Sequence, residues 1–420
     1  MSIRSWWRFV ALFAVLALVV AACDSDSSDD SNDNASDDMD IPQGPPVSGD
    51  PFKIGVVYAS GVGGVDLPDL ANGAQAAAQY VNDEKGGIDG RPVEVVECNA
   101  MADPAAAADC GQNFVDEGVI AVTGLEPTWG DNGLPVTDAA GIPFIGLPIS
   151  FAEFTTPTSH PFGGGSLTAF PALAKFAAED VGVENAAIIH TDIEAGKLAA
   201  ETLLRDPLEE AGVDVTLVSE SSGAADFTPA VAEALSGDPD SVFILFDASD
   251  CGRILAALEQ AGYQGDLFGT GACANDEALE VAGESAVEGF YLNSDTHYRA
   301  VEGEPEFEDA QIMIDRLDRY ADQEVTSFAA ATFSEVVTAV NIANDIADEQ
   351  GVDAVSAETM LAQIESLVDY PIFDGDVIDS TAPVEIAGVA TGVYVPTQRI
   401  YQYTDGEFVD VGGGWVNGFE

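Results

Sequence analysis

The segment Val119–Ser150, VIAVTGLEPTWGDNGLPVTDAAGIPFIGLPIS, narrows the fold more than any other part of the chain. Two short apolar runs, Val119–Thr123 and Ile142–Gly146, flank a stretch long enough for a helix. Each run leads into a loop of Gly, Pro, Thr and Ser. Strand-length apolar runs alternating with helical patterns mark βαβ units, in which parallel strands are covered on both faces. The two loops then open on one side, at the carboxyl ends of neighbouring strands, where open α/β sheets bind ligands. The same alternation runs from residue 52 to 290. Phe52–Tyr58, Pro92–Cys98, Asn185–His190, Asp214–Ser219, Ser241–Phe246 and Asp266–Gly269 read as strands, separated by helical patterns such as Asp69–Glu84 and Glu194–Ala211. Phe307–Tyr320, Phe328–Glu349 and Ala357–Val368 carry helical spacing further on. Val389–Val395 and Arg399–Tyr403 then read as strands, with Asp405-Gly406 as a turn signal. Irregular stretches at Pro157–Ser166 and after Tyr291–Asp295 interrupt the pattern. The expected fold class is α/β, with two doubly wound parallel-sheet lobes joined by a multi-crossing hinge.

The amino terminus reads differently. Arg4 and Arg8 precede an apolar run from Phe9 to Val20, and small residues then lead to Cys23. The run is shorter than the roughly 20 residues of a membrane span and describes a secretory signal over residues 1–22. The Cys after small residues resembles a bacterial lipobox, which implies lipidation of Cys23. Asp24–Asp50 holds nine Asp among Ser, Asn, Pro and Gly. Such a tract cannot bury enough surface to offset its ordering entropy, so residues 23–51 are expected to be a disordered, lipid-anchored acidic tether. The anchor places the protein on the extracytoplasmic face of the cell membrane.

Two of the chain's 13 basic residues leave with the signal, against 74 acidic ones, deepening a net charge of −61. Nucleic acid and anionic membrane surfaces are repelled by such a chain. The acids are spread throughout, as in a solvated surface adapted to salt. Of five cysteines, Cys98, Cys110, Cys251 and Cys273 remain beside Cys23, and an even count in an exported chain suggests disulfides. Three pairings are open; Cys98–Cys110 and Cys251–Cys273 each join a strand end to a nearby helix or loop within one unit. No CxxC occurs, so no metal site is expected, and no cofactor. The chain has no GxSxG elbow, HExxH, P-loop or GxGxxG after a strand, so an enzyme is not expected.

Residues 52–420 resemble the type I periplasmic binding proteins of the leucine/isoleucine/valine kind, the receptors of branched-chain amino acid ABC importers. The resemblance rests on FKIGVVYASGVGG, on GAQAAAQYVNDEKGGIDGRPVEVVECNAMADPAAAADC, on GVIAVTG and GIPFIGLPIS, and on AAIIHTDIEAGK. YVNDEKGGIDGRPVEVV is the most typical phrase, with Gly86 and Gly87 suited to the positive φ of a helix C-cap. The expected lobes are 52–165 with 297–375, and 166–296 with 376–420. The resemblance implies a monomer that holds an amino acid or related small amide or carboxylate between its lobes, with an ABC permease as partner. It implies that hydroxyls and backbone N–H groups of the two loops of the opening unit hold the ligand carboxylate. An acidic side chain and a Tyr of the second lobe would hold the ammonium.

Carried over by position, Thr128 and Ser150 fall where hydroxyls are expected, and Phe151 lies in the second loop. Pro127 replaces the small Ser of the first loop, Thr191 replaces the Tyr, and Gly271 stands at the acidic position. Glu126 and Asp247 are the candidates to receive the ammonium instead. Asp192 also lies at a strand's carboxyl end, where capping a helix would suffice to explain it. Tyr58 is a rim candidate, and Trp129 a stacking wall for the ligand. The expected function is solute capture for an importer; the alternative is a tethered ligand-sensing module for a membrane signalling receptor.

Overall fold

A computed structural model describes residues 43–61, 66–274, 276–296, 307–322, 325–386, 389–390 and 392–420. The signal segment, Cys23, the tether as far as Pro42 and the start of the expected return at residue 297 lie outside the described residues. Pro42–Glu420 form one unit. Its chain order begins β1 (Phe52–Tyr58), α1 (Asp69–Tyr80), β2 (Val93–Asn99), α2 (Pro104–Glu117), β3 (Ala121–Leu125), α3 (Trp129–Asn132) and α4 (Leu134–Ala139). β1 lies between β2 and β3 and is parallel to both, with Ile54 opposite Val95 and Ala121. Its apolar run is covered on both faces, and Ile54, Val56 and Val57 are fully buried. Asp103 opens α2 by accepting the N–H groups of Ala105 and Ala106 at 2.9 Å, with Pro104 in the first turn.

The second series runs α5 (Gly165–Phe176), β4 (Asn185–Thr191), α6 (Glu194–Leu198), α7 (Asp206–Glu210), β5 (Asp214–Glu220), α8 (Thr228–Ala234) and β6 (Ser241–Leu245). It continues with α9 (Ala248–Ala261), β7 (Asp266–Thr270), α10 (Asp276–Ala282), α11 (Glu284–Val287) and β8 (Tyr291–Ser294). α12 (Phe307–Ala321) and α13 (Ser327–Gln350) return to pack on α1 of the first sheet, and α14 (Ala357–Ile364) follows. Two short antiparallel ribbons, β9 (Tyr370–Pro371) with β10 (Val377–Ile378) and β11 (Glu385–Ile386) with β12 (Val389–Ala390), lead on to β13 (Thr397–Thr404). β13 joins β8 antiparallel and carries β14 (Glu407–Asp410) and β15 (Val416–Asn417). The large sheet has the order β14-β13-β8-β7-β6-β4-β5. Asp405 and Gly406 both take positive φ, 54° and 85°, as the tight β13–β14 turn requires.

Three local expectations are corrected. The run Ile142–Gly146 is not a full strand: Phe144 makes single parallel bridges to Val122 and Ser159. Pro143 has no N–H for a ladder, although its carbonyl still accepts from Val122 N–H at 2.9 Å. The intervening helix is broken into α3 and α4, where Pro135 removes a helical donor in the first turn of α4. Residues 43–50, expected to belong to the free tether, are seated on the first lobe. Gly44 N–H donates to Asp83 O at 2.7 Å and Ser48 N–H to Gly90 O at 2.8 Å, and the Pro45-Pro46 pair lowers the entropy lost in seating them.

Both disulfides form, Cys98–Cys110 between β2 and α2, and Cys251–Cys273 between α9 and the turn after β7. No helix among the described residues is long and apolar enough to cross a membrane.

Candidate functional site

The carboxyl ends of the two sheets face each other across a cavity of about 130 Å³, the share of roughly four liquid waters. From the first lobe come Leu147, in the loop after Phe144, and Ser327, Phe328 and Ala331 of α13. From the second come Thr270 and Gly271 at the end of β7, and residues 293–296 at the end of β8. The first-lobe wall is apolar: Leu70, Leu147 and Ala331 are buried together, with Tyr58, Leu125 and Phe328 packed against them.

The second-lobe wall is polar and acidic. Gln398 of β13 donates through Nε2 to Asp295 Oδ1 and to Thr168 Oγ1 (2.8 Å), and its Oε1 accepts from Asn293 Nδ2 at 2.9 Å. The backbone of Gly164 also bonds the Asp295 carboxylate. This approach depends on glycine, because a Cβ at Gly163 would stand 3.1 Å from Asp295 Cγ. Burial pushes the Asp295 carboxyl up to about 6 against these stabilising bonds. Near it, Glu335 of α13 is buried and accepts from Thr123 Oγ1 of β3. Burial, and to a lesser degree the charge of Asp295, holds Glu335 well above the usual carboxylate range. No ion pair among the described residues reaches either acid. Thr296 Oγ1 and Asn293 Oδ1 are buried without a hydrogen-bond partner.

Of the residues singled out from sequence, Gly271 lines this cavity; Tyr58 does not line it but packs against the apolar cluster of Leu70, Leu147 and Ala331 beside it. A Cβ at Gly271 would stand 3.2 Å from Ser327 Oγ, so the lobes nearly touch here.

Trp129 is corrected: its ring is fully buried, 5.9 Å from the Phe114 ring and 6.1 Å from that of Phe144, inside the first-lobe core. Glu126 is corrected too. It is fully buried and turns back on its own loop, its Oε2 accepting both the N–H and Oγ1 of Thr128 at 2.8 Å. Burial holds Glu126 above its usual range despite these bonds, and the Thr128 hydroxyl is already used as a hydrogen-bond donor.

The N–H groups of Ile149 and Ser150 are not open to a ligand carboxylate, because both donate to Glu153 Oε2 at 2.7 Å. The return of Glu153 to the Ser150 N–H is one half of a capping box. Glu153 is fully buried, and burial pushes its carboxyl up to about 7. Ser150 Oγ is buried beside the Glu153 carboxylate, whose upward shift its hydroxyl helps to hold back, and Phe151 is 66% exposed. Asp247 accepts from Asp250 N–H at 2.9 Å as the cap of α9, and Asp192 accepts from Ser221 Oγ at 3.0 Å. Ser150, Phe151, Asp247 and Asp192 are not among the cavity's lining residues.

Sequence reasoning missed Asp295, Asn293, Thr296 and Phe328. The signal was present in Tyr291-Leu-Asn-Ser-Asp295, an alternating run ending in polar residues where a parallel strand would end. A wider groove of about 870 Å³ lies at the amino ends of β1 and β2. Its two basic residues are already engaged, Lys53 with Glu117 and Arg91 Nε with Asp50 O at 2.8 Å.

Residues 51–385 match the family described as periplasmic binding protein. The chain is 27% identical over 241 residues to the Leu/Ile/Val-binding protein of Citrobacter freundii, covering 54% of this chain and 63% of that protein. It is 28% identical to the Leu/Ile/Val/Thr-binding protein of Salmonella typhimurium over the same shares. The chain thus spans 63% of the length of these curated relatives. A leucine-binding protein from Thermotoga maritima superposes with a TM-score of 0.68 at 17% identity, over 87% of this chain and 99% of that one. A branched-chain amino acid transporter substrate-binding protein from Streptococcus pneumoniae, solved with isoleucine, gives 0.68 at 18% identity, over 86% and 99%.

Proposed function

The chain belongs to the periplasmic binding protein family, and from that premise we propose that it is the solute receptor of an ABC importer, capturing a small amino acid between its two lobes. The observation that carries this reading is the inter-lobe cavity, whose walls come from both sheets at their carboxyl ends. A ligand touching both walls favours the closed arrangement by its differential affinity for it, and that arrangement is what a permease can read. The role involves no chemical step. The names of the curated relatives, Leu/Ile/Val-binding and Leu/Ile/Val/Thr-binding, support an aliphatic amino acid, and the apolar wall of Leu147, Phe328 and Ala331 suits such a side chain.

In the same reading the lobes divide at 165/166, 296/297 and 375/376, and Gly271 and Tyr58 lie beside the ligand. Cys23 carries the lipid that keeps the protein on the extracytoplasmic face, and the protein works as a monomer.

A thermal-shift screen of the purified protein against the standard amino acids tests the ligand reading. An aliphatic amino acid is expected to raise Tm with rising concentration, as mass action requires; a flat response to all of them refutes it. Cys23→Ala is expected to release the protein from the membrane fraction, and a variant that stays there refutes the anchor.

A further inference from the structure

Two observations at the inter-lobe cavity define what its ligand must carry. The first is charge. Asp295 lines the cavity and Glu335 lies near it, and no lysine, arginine or histidine among the described residues pairs with either. A buried carboxylate is costly until a cation or a proton joins it.

The second is the direction of the hydrogen bonds. A carboxylate only accepts, so Gln398 must turn its Nε2 toward Asp295 and its Oε1 toward Asn293. Asn293 answers with its Nδ2 and is left presenting its carbonyl oxygen, which has no partner. Thr296, 4% exposed, adds a hydroxyl oxygen without a partner. Carboxylate, carbonyl and hydroxyl oxygens are thus gathered on four consecutive residues at the end of β8, on one wall of one cavity. A primary ammonium, with a positive charge and three N–H donors, complements such a set. A neutral amide brings two donors and no charge, and a free carboxylate adds a like charge.

We propose that Asp295, Asn293 and Thr296 form the cradle for the ligand's primary ammonium, so that the site takes small amines and α-amino acids and rejects neutral amides and simple carboxylates of the same shape. This rests on the cleft-binding reading and narrows it. The ammonium is held from the end of β8, not by Glu126, which faces its own loop, nor by Asp247, which caps α9. Gly271 has no side chain to bring to this cavity, and Ser327 of the opposite lobe approaches it. The acid comes instead from the neighbouring strand end. Because Asp295 is also bonded to the Gly164 backbone and to Gln398, the cradle is fixed before the ligand arrives.

Isothermal calorimetry on the full chain tests the cradle with three sets of probes. L-leucine and L-valine carry both charges; isopentylamine and isobutylamine lack the carboxylate; 4-methylpentanoate and 3-methylbutanoate lack the ammonium. The amino acids and amines are expected to bind, and the acids at least about 100-fold more weakly than the amino acids. Asp295→Asn is expected to weaken the ammonium compounds by about 100-fold or more, and Thr296→Val by about 10-fold, as for loss of a buried charged hydrogen-bond partner.

A second readout needs no variant. Near pH 6, binding of a cation beside Asp295 releases about half a proton, seen as a dependence of the binding enthalpy on the buffer's ionisation enthalpy. Equal binding of leucine by wild type and Asp295→Asn overturns the cradle while leaving the amino acid reading in place. Amines that bind where amino acids do not would uphold the cradle and refute that reading. Binding by none of the four ammonium compounds refutes both.

Discussion

At the scale of single residues, burial decides which side chains serve the fold and which are open to a ligand. Trp129 opens α3 just beyond the carboxyl end of β3, yet its ring fills the core between Phe114 and Phe144. Trp129→Ala is therefore expected to cost roughly 3–5 kcal/mol of stability, measured by urea unfolding, with ligand affinity of the folded protein within about two-fold of wild type. Lost affinity at unchanged stability would put the ring back in the cleft. Gly271 makes the opposite case. Gly271→Ala places a methyl 3.2 Å from Ser327 Oγ across the lobes, so ligand affinity is expected to fall several-fold while the unliganded protein unfolds as before. Unchanged affinity would show that closure does not bring these residues nearer. Sequence pattern places both residues at the correct edge, but it does not give the direction of a side chain. The direction of Glu153 could have been read in advance, from the Ser-x-x-Glu spacing with Ser150 that marks a capping box.

At the scale of elements, the alternation of apolar runs and helical patterns was legible because parallel strands buried on both faces have almost no polar positions. β4 and β6 follow the sequence reading closely. The misreadings fall where one residue overrides the pattern: Pro143 limits a strand to isolated bridges at Phe144, and Pro135 interrupts a helix. The end of β8 was lost because the chain leaves the sheet at Asp295, so the alternation that identified earlier strands stops where the cavity begins. Each disulfide staples one element to the next within its own lobe, closing loops of 12 and 22 residues. Replacing both cysteines of either pair by serine is expected to cost roughly 3 kcal/mol by the loop-entropy account, read as a lower urea midpoint; no shift in the midpoint would contradict it. Deleting residues 43–50 is expected to lower Tm, since it removes the bonds to Asp83 and Gly90. An unchanged Tm would return the segment to the tether.

At the scale of the whole molecule, acids dominate. Glu153, Asp295, Glu335 and Glu126 are all held above the usual carboxylate range, chiefly by burial. Each binds its proton more tightly folded than unfolded. The stability this contributes is fully present below the unfolded value near 4 and is lost as pH rises through the folded values, about 6 for Asp295 and about 7 for Glu153. Asp266 is raised in the same way, and His160, held below its usual value by burial, works the other way, one group against five. Tm is therefore expected to fall from about pH 5 to 8 at fixed salt, and Glu153→Gln to flatten that slope; a Tm that rises across the interval would contradict the assignment. The net charge of −61 adds self-repulsion, so raising salt from about 0.1 to 1 M, which shortens the screening length from about 10 to 3 Å, is expected to raise Tm; indifference to salt would count against it.

The seating of residues 43–50 has a mechanical side. Their described backbone bonds run to the turn between α1 and β2, entirely within the first lobe. Tension reaching residues 43–50 from the amino-terminal side would therefore enter the first lobe first. If the chain is anchored through Cys23 as proposed, the load would be carried by the first lobe.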